Sequence, residues 1–332
     1  MGQAPGVRVL GTGSYVPQQI VTNEDLAALG CDSEWIVRRT GIQQRRKAAE
    51  GEATSDMAFH AAQAAIAAAG IDIEAIDLII VATMTPDFPT PSAACELQRR
   101  LGAVAAAMDV NAACAGFMFA AVTAAQFIRA GNCRHALVVG ADVMSRTIDP
   151  DDKKTYPLFG DGAGAAILSA DPGGDESTRS GILAYQLGSE GCGGEMLCIP
   201  AGGSRNPLTA ENIATGQQFL RMDGRGVFKW AVRVFEESTH DVLDKAGVTA
   251  DRLSLVILHQ ANQRIIDAAV SQLHVPAERV FVNLDRYGNT SAASIPLALD
   301  EAVRGGKVGR GELLLMCGFG AGLAWGTALW RW

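Results

Sequence analysis

The chain has 332 residues, is 48% hydrophobic and carries a net charge of −8. This length and apolar content suffice to bury one large core or two fused ones. The acidic balance argues against binding to bulk nucleic acid or to an anionic membrane surface. The longest apolar region is interrupted by Asp109 and Asn111, so no membrane span is predicted.

The seven cysteines are scattered along the chain and form neither a CxxC pair nor a His-Cys spacing typical of a metal site. Their odd number, together with an N-terminus that lacks a basic and then apolar signal pattern, predicts free thiols in a reducing compartment. We therefore expect a cytoplasmic protein with no metal site.

The first half alternates helix-like and strand-like segments. A helix is predicted over Thr54–Ala69 and a buried strand over 77–82. After a polar break at 109–111 comes a small-residue turn that carries Cys114. The segment that follows, through Ala130, is apolar on nearly all faces and predicts a central, buried helix.

The second half repeats the alternation after a loop rich in Gly, Asn and Pro over 201–216. Helices are predicted over 226–246, 263–273 and 291–304, and buried strands over 254–259 and 313–318.

Corresponding segments recur at nearly constant spacing. Three pairs are separated by 177, 175 and 177 residues: Ile79 and Val256, Cys114 and Asn289, and Ala136 and Leu313. Glycine-rich turns begin at Gly160 and Gly318, only 158 residues apart, which predicts an insertion of 19 residues near 142–160 in the first half. The pattern indicates a duplicated α/β unit, with halves at 1–175 and 176–332.

The duplication has a functional consequence. The turns at Cys114 and Asn289 become pseudo-symmetric partners at the interface between the halves, and His259 follows a neighbouring strand. A thiol at the first turn of a helix is expected to have a lowered pKa, which favours the nucleophilic thiolate. Each residue alone has an ordinary structural explanation. Together they predict thiol-based acyl chemistry.

Seven motifs spread almost from end to end make the interpretation more specific. They are Gly11-Thr-Gly-Ser-Tyr-Val-Pro, Glu34-Trp-Ile-Val-Arg-Arg-Thr-Gly-Ile, Ala112-Ala-Cys-Ala-Gly-Phe, Phe159-Gly-Asp-Gly-Ala-Gly-Ala, His259-Gln-Ala-Asn-Gln-Arg-Ile-Ile, Gly288-Asn-Thr-Ser-Ala-Ala-Ser and Phe319-Gly-Ala-Gly. With them the chain resembles the β-ketoacyl-acyl-carrier-protein synthases III. The resemblance implies the thiolase fold, in which two duplicated βα halves pack as α-β-α-β-α layers.

The resemblance also implies a reaction, the decarboxylative condensation of an acyl-CoA primer with malonyl-acyl-carrier protein, which initiates fatty acid biosynthesis. Cys114 would carry the acyl group, and the backbone N–H groups of Cys114 and Ala321 would form an oxyanion hole. His259 and Asn289 would stabilise the enolate left by carbon dioxide. Acyl-CoA and the malonyl carrier are substrates, and no cofactor is required.

Binding residues follow from the same resemblance. Trp35, Arg39, Lys153 and Asn262 match positions that contact CoA and its pantetheine arm, although Lys153 stands where Arg is usual and stacks less well on a base. The remaining matched positions are Thr90 and Phe319 in the acyl pocket and Lys229 and Arg264 at the carrier-protein surface.

Thr90 bears on the choice of primer. Some family members that accept only acetyl carry Phe at this position, so a smaller residue predicts a longer or branched primer. Phe88, two residues away, is an alternative occupant of the same space. In the family the pocket is closed by the neighbouring subunit, which implies a homodimer.

Other functions fit part of the pattern. A related acyltransferase or condensing enzyme of secondary metabolism, such as polyketide priming, would use Cys114 in the same way, although His259 and Asn289 favour retained decarboxylation. A Cys-His-Asn thiol hydrolase fits the residue types alone, but an apolar helix after Cys114 would exclude water. A non-catalytic scaffold is disfavoured because all three residues are present.

Overall fold

Two five-stranded mixed sheets form the framework of the computed structural model, which describes residues 6–171 and 180–332. The helices and strands of the first half are β1 (Gly6–Tyr15), β2 (Gln19–Thr22), α1 (Ser33–Thr40), β3 (Gln44–Lys47), α2 (Thr54–Ala69), β4 (Leu78–Ala82), α3 (Ala93–Leu101), β5 (Ala106–Val110), α4 (Gly116–Arg129), β6 (His135–Asp142) and β7 (Gly162–Asp171). The predicted helix over Thr54–Ala69 is confirmed as α2.

The second half contributes the elements that build the other sheet. They are β8 (Gly181–Ser189), β9 (Leu197–Cys198), α5 (Ala210–Ala214), β10 (Arg221–Met222), α6 (Gly224–Ala246), β11 (Leu255–Leu258), α7 (Gln263–Leu273), β12 (Val280–Phe281), α8 (Leu284–Tyr287), α9 (Ser294–Arg304), β13 (Leu313–Gly320) and β14 (Ala324–Arg331). The predicted loop over 201–216 contains the short helix α5, because Thr209 caps it by accepting a hydrogen bond from the Asn212 N–H.

The two sheets have the same strand order and the same strand directions. The first runs β5-β4-β6-β7-β1 and the second β12-β11-β13-β14-β8. In each, the first three strands are parallel and the last two pairings are antiparallel. Central strands such as β4 are buried along their whole length, which explains their continuous apolar sequence.

The helices complete five layers in the order α-β-α-β-α. Helices α4 and α9 lie between the sheets and contact strands of both, α2 and α3 cover the first sheet, and α6 and α7 cover the second. Helix α4 is buried on most of its surface because it has a sheet on either side. None of the helices in the described ranges is long and apolar enough to cross a membrane.

The strand register corrects the predicted pairing of the glycine-rich turns. Gly140 pairs with Gly164 in the first sheet, and the corresponding pair in the second is Gly318 with Gly326. The run after Gly160 therefore begins β7, whereas the run at Gly318 ends β13. The β6–β7 connection spans 143–161 and the β13–β14 connection only 321–323, so the first half is 16 residues longer here rather than 19.

Candidate active site

Two equivalent turns face each other where the halves meet. Cys114 lies in a short 3₁₀ turn, Ala113–Ala115, that leads from β5 into α4, and Ser291 begins the matching turn before α9. Ala113 and Ser291 both have a left-handed backbone, with φ of 45° and 52°. Such angles are uncommon for residues other than glycine and mark turns held by their surroundings.

The same turns bring the Cys114 thiol close to the second half. The Cys114 thiol donates a hydrogen bond to the Ser291 hydroxyl over a Sγ–Oγ distance of 3.5 Å. Burial raises the pKa of Cys114 to about 12, and the nearby Asp142 carboxylate adds to the rise. The expected lowering of the pKa by the helix dipole is thus outweighed by desolvation, and the resting sulfur is a thiol.

His259 follows β11, and its backbone N–H donates to the Cys317 carbonyl of β13 (2.8 Å). Its Nδ1 lies 2.6 Å from the Ser294 hydroxyl, and its ring meets Phe319 edge-on. Ser294 Oγ also accepts a hydrogen bond from the Gln260 N–H (3.4 Å), which leaves its proton free for Nδ1. We assign the Ser294 hydroxyl as the donor to Nδ1, and with that assignment the imidazole proton is on Nε2.

Burial sets the charge of that imidazole. His259 is almost completely buried, and desolvation lowers its pKa to about 3. The ring is therefore neutral at pH 7 and presents Nε2–H to the cavity that it lines. It is a hydrogen-bond donor and a poor base.

The side chain of Asn289 has a defined orientation. Its Oδ1 accepts the backbone N–H of Ser291 (2.9 Å), so Nδ2 carries the two donors. Within 6–171 and 180–332, no protein acceptor bonds to this Nδ2, and the residue lines the same cavity. Its backbone is held by the Leu158 carbonyl and the Gly160 N–H, at 2.8 and 3.0 Å.

Two backbone N–H groups lie beside the nucleophile. Gly320 packs so closely against Cys114 that a Cβ built on the glycine would come within 2.9 Å of the Cys114 nitrogen. Ala321 follows directly and lines the cavity. Neither the Cys114 nor the Ala321 N–H has a hydrogen-bond acceptor within the described part of the chain.

A single cavity of about 1050 Å³ connects these groups to the surface. Eleven of the twelve predicted site residues line it: Trp35, Arg39, Cys114, Lys153, Lys229, His259, Asn262, Arg264, Asn289, Phe319 and Ala321. Its wall has six Lys or Arg side chains and one acidic side chain, Asp32. In a chain of net charge −8, this concentration of cations favours an anionic ligand.

The predicted CoA contacts lie in one region of the cavity wall. The Arg39 guanidinium stacks over the Trp35 ring at 5.5 Å, and Lys153 Nζ lies beside Gly30. Asn262 uses both ends of its side chain, because Nδ2 donates to the Arg39 carbonyl and Oδ1 caps α7 at the Arg264 N–H. A contact from Asn262 to a pantetheine arm would be additional to these bonds.

Thr90 is the predicted residue that the cavity does not include. It is exposed on the loop before α3, and Phe88 on the same loop is 53% exposed. Neither side chain closes the cavity of the single chain, so their proposed part in the acyl pocket depends on a second copy. Phe319, by contrast, lines the cavity next to His259.

The predicted basic surface divides into paired and unpaired residues. Lys229 and Arg233 lie one turn apart on α6, but Arg233 is bonded to Glu190 and Glu237 at 2.7 and 2.9 Å. Arg264 stacks over Phe228 at 6.0 Å. Lys229 and Arg264 have no acidic partner in the residues that the structure describes, which leaves their charges available at the cavity mouth.

Several residues of the site were not singled out from the sequence. Ser291 and Ser294 belong to the motif that begins at Gly288. Two hydroxyl groups among small apolar residues could have indicated that these serines belong to the site. Asp142 ends an otherwise apolar strand. Apolar side chains of the cavity wall lie too far apart in the chain to be grouped by pattern: Met84, Met144, Leu197, Leu220 and Met222.

Comparison with known proteins agrees with this geometry. Residues 108–191 match the family model for 3-oxoacyl-[acyl-carrier-protein (ACP)] synthase III, and 243–332 match the model for its C-terminal part. A β-ketoacyl-[acyl-carrier-protein] synthase III of Rhodopirellula baltica is 66% identical, with all of both chains covered.

Solved structures give the same result. A 3-oxoacyl-[acyl-carrier-protein] synthase III from Aquifex aeolicus is 45% identical, covers 98% of this chain and 100% of its own, and superposes with a TM-score of 0.89. The priming β-ketosynthase of the R1128 polyketide pathway also has a TM-score of 0.89, with 37% identity and coverage of 99% and 97%. The greater identity to the fatty acid enzymes favours them over the polyketide alternative, and the chain belongs to the 3-oxoacyl-[acyl-carrier-protein] synthase III family of acyl-transferring condensing enzymes.

Proposed function

We propose that this protein joins an acyl primer from acyl-CoA to malonyl-acyl-carrier protein through an acyl-Cys114 intermediate, and so starts fatty acid synthesis. The observation that carries the proposal is the convergence of Cys114, His259 and Asn289 on one cavity with a cationic wall. Protein contacts orient His259 and Asn289 and leave His259 Nε2 and Asn289 Nδ2 without a protein partner in the described ranges.

The first half-reaction is acyl transfer. The Cys114 sulfur attacks the thioester carbonyl, and charge develops on the carbonyl oxygen. The N–H groups of Cys114 and Ala321, which lack protein acceptors in the described ranges, are suited to receive that oxyanion. CoA leaves as its thiol, and the acyl group remains on sulfur.

The second half-reaction releases carbon dioxide from the malonyl thioester. The electron pair of the broken C–C bond moves into the thioester carbonyl, which becomes an enolate. His259 Nε2–H and Asn289 Nδ2–H are donors for that oxygen, and a neutral imidazole stabilises it by a hydrogen bond without giving up its proton. The enolate carbon then attacks the acyl-Cys114 carbonyl. The C–S bond to Cys114 breaks, the β-ketoacyl product is released, and the Cys114 thiolate takes up a proton from solvent.

The substrates match the charge of the cavity. Trp35 and Lys153 offer the two sides of a clamp for the CoA base, and Arg39 offers a cation for its phosphates. Lys229 and Arg264 form a docking surface for an acidic carrier protein. We assign no metal or cofactor to the reaction.

We further infer a primer longer than acetyl, a homodimer and a cytoplasmic location. The apolar wall formed by Met84, Met144 and Leu220 supports accommodation of an alkyl chain. The dimer is supported by the exposed loop that carries Phe88 and Thr90, which lies outside the single-chain cavity. Free cysteines agree with a reducing compartment.

The test is intact-protein mass spectrometry with acyl-CoAs of graded length, followed by addition of malonyl-acyl-carrier protein. A thioester adduct should form with the wild type but not with Cys114→Ala, and it should discharge with release of carbon dioxide. Strict preference for acetyl-CoA would contradict the longer primer. Discharge to water alone would favour a hydrolase.

A further inference from the structure

A carboxylate is buried directly behind the nucleophile turn. Asp142 ends β6 and is 0% exposed, and no Lys, Arg or His within the described residues forms an ion pair with it. Its Oδ1 accepts hydrogen bonds from Thr83 Oγ1 (2.9 Å), Met84 N (2.8 Å), Thr85 N (3.2 Å) and Thr85 Oγ1 (3.0 Å). Its Oδ2 accepts from the Ala292 N–H (3.1 Å). Oδ2 is therefore the oxygen with room for a proton.

Ser291 lies between this carboxylate and the thiol. Its hydroxyl is 3.5 Å from Cys114 Sγ. Burial raises the pKa of Asp142, and a hydrogen bond from the Ser291 hydroxyl opposes that rise. Ser291 is fully buried, and its left-handed backbone is held by Asn289 Oδ1. The sulfur, the Ser291 hydroxyl and the Asp142 carboxylate are thus neighbours: the S–H donates to Oγ, and Ala292, which follows Ser291, donates its N–H to Oδ2.

The loading of Cys114 requires an acceptor for its proton. The thiol is protonated in the resting protein. His259 is unsuited to take this proton, because burial keeps the ring neutral and Nδ1 is bonded to Ser294. Ser291, which is bonded to the thiol, and the neighbouring Asp142 provide another route for the proton.

We propose that Ser291 and Asp142 form a proton relay that activates Cys114 during acyl loading, an inference that rests on the proposed function. As sulfur attacks the acyl-CoA carbonyl, the S–H proton moves to Ser291 Oγ and the Ser291 hydroxyl proton moves to Asp142 Oδ2. When the C–S bond to CoA breaks, the departing sulfur takes a proton back through Ser291. The step ends with acyl-Cys114, free CoA thiol, a neutral Ser291 and an ionised Asp142.

The relay explains two features together. A thiol whose pKa is raised by burial is unreactive until substrate arrives, and an ionised carboxylate whose pKa is raised by burial accepts a proton more readily. The strained backbone of Ser291 places its hydroxyl between them. In this scheme Ser291 contacts the reacting sulfur, and Asp142 acts through Ser291.

The test compares Ser291→Ala with Ser145→Ala. The Ser145 hydroxyl bonds to another fully buried carboxylate, Asp161, at 2.6 Å. Ser145→Ala therefore controls for the general effect of removing a hydroxyl that is bonded to a buried carboxylate. Two rates are measured: alkylation of Cys114 by iodoacetamide at pH 7 and single-turnover acylation by acyl-CoA. Ser291→Ala should slow both by about 10²-fold, as expected for lost acid–base assistance. Ser145→Ala should stay within about twofold.

A proton inventory in H2O and D2O mixtures adds a readout that a structural role would not change. Acylation of the wild type should give a curved plot from two protons in flight, and Ser291→Ala should give a straight one. If Ser291→Ala fails to fold, Ser291→Gly removes the same hydroxyl and tolerates the left-handed backbone. Unchanged alkylation in the folded variant, or an equal loss in Ser145→Ala, would overturn the relay.

The alkylation arm separates this inference from the proposed function. If no acyl-CoA loads the wild type, the proposed primer chemistry fails. A selective loss of iodoacetamide reactivity in Ser291→Ala would still support the relay.

Discussion

Replacement of Gly320 by alanine tests whether the close approach of β13 positions the nucleophile. A Cβ at Gly320 would lie 2.8 Å from Cys114 Cβ and 2.9 Å from its backbone nitrogen. Ordinary contact begins near 3.4 Å, so the two segments must separate by about 0.6 Å. Because backbone is involved on both sides, a side-chain rotation cannot relieve the overlap.

The expected result has two parts. Overpacking of this kind lowers the free energy of unfolding by about 1–3 kcal/mol. A misplacement near 1 Å at a reacting group costs about 10²-fold in rate, so a shift of 0.6 Å should slow acylation of Cys114 about tenfold. Acylation is followed by mass spectrometry under single-turnover conditions, and stability by urea unfolding.

Two glycines provide matched controls. Gly51 has nothing within 4 Å of an added Cβ, so Gly51→Ala should change neither quantity. At Gly13 an added Cβ would meet the α2 backbone at Ala65, away from the cavity, so Gly13→Ala should lower stability without slowing acylation by the folded protein. A Gly320→Ala enzyme that acylates at the wild-type rate would refute the argument that this contact positions the sulfur.

Three further predictions follow from the site. Ser294→Ala should slow carbon dioxide release about tenfold, because His259 loses the hydrogen bond that fixes its tautomer. Acylation should stay within threefold, because the Cys114 thiol is bonded to Ser291 and not to Ser294. Equal losses in both steps would contradict this. The pKa of His259 is about 3 in the folded state and about 6.5 unfolded. The unfolded chain therefore binds more protons than the folded one. Between pH 7 and 5 the free energy of unfolding should fall by about 2 kcal/mol more in the wild type than in His259→Gln, as measured by urea unfolding. Lys229→Glu should raise KM for the malonyl carrier about tenfold without affecting loading from CoA, whereas Arg233→Ala, already bonded to two glutamates, should have little effect.

The sequence predicted the fold well where pattern and spacing carry the information. The strands at 78–82 and 255–258 are continuous apolar runs because helices cover both faces of the sheets. Helix α4 is apolar on most of its faces because it lies between two sheets. The glycine runs at Gly160 and Gly318 were misaligned because two consecutive strands in each half contain glycines. The run that begins β7 was therefore matched with the run that ends β13.

The residues of the candidate site could be proposed from the sequence, and eleven of them line one cavity, but their electrostatics could not be predicted. Cys114, His259 and Asn289 each follow a strand or turn that the motifs identify. The charge states depend on desolvation, which no local pattern contains. A helix N-terminus predicts a lowered thiol pKa, whereas burial together with Asp142, 28 residues away in the chain, raises it. The orientation of His259 likewise depends on Ser294, which comes from a different element.

The functional asymmetry of the two halves arises from the connection 143–161. Duplication alone yields two equivalent turns, one with Cys114 and the other with Ser291. The longer connection in the first half adds Lys153, Leu158 and Phe159 to the cavity wall. Through Leu158 and Gly160 it also holds the backbone of Asn289, at 2.8 and 3.0 Å. A residue of the second half is thereby fixed by the first, so shortening this connection should disturb Asn289 and the decarboxylation step as well as substrate binding. The extra residues therefore convert a symmetric pair of turns into a candidate site with the proposed nucleophile on one side and hydrogen-bond donors on the other.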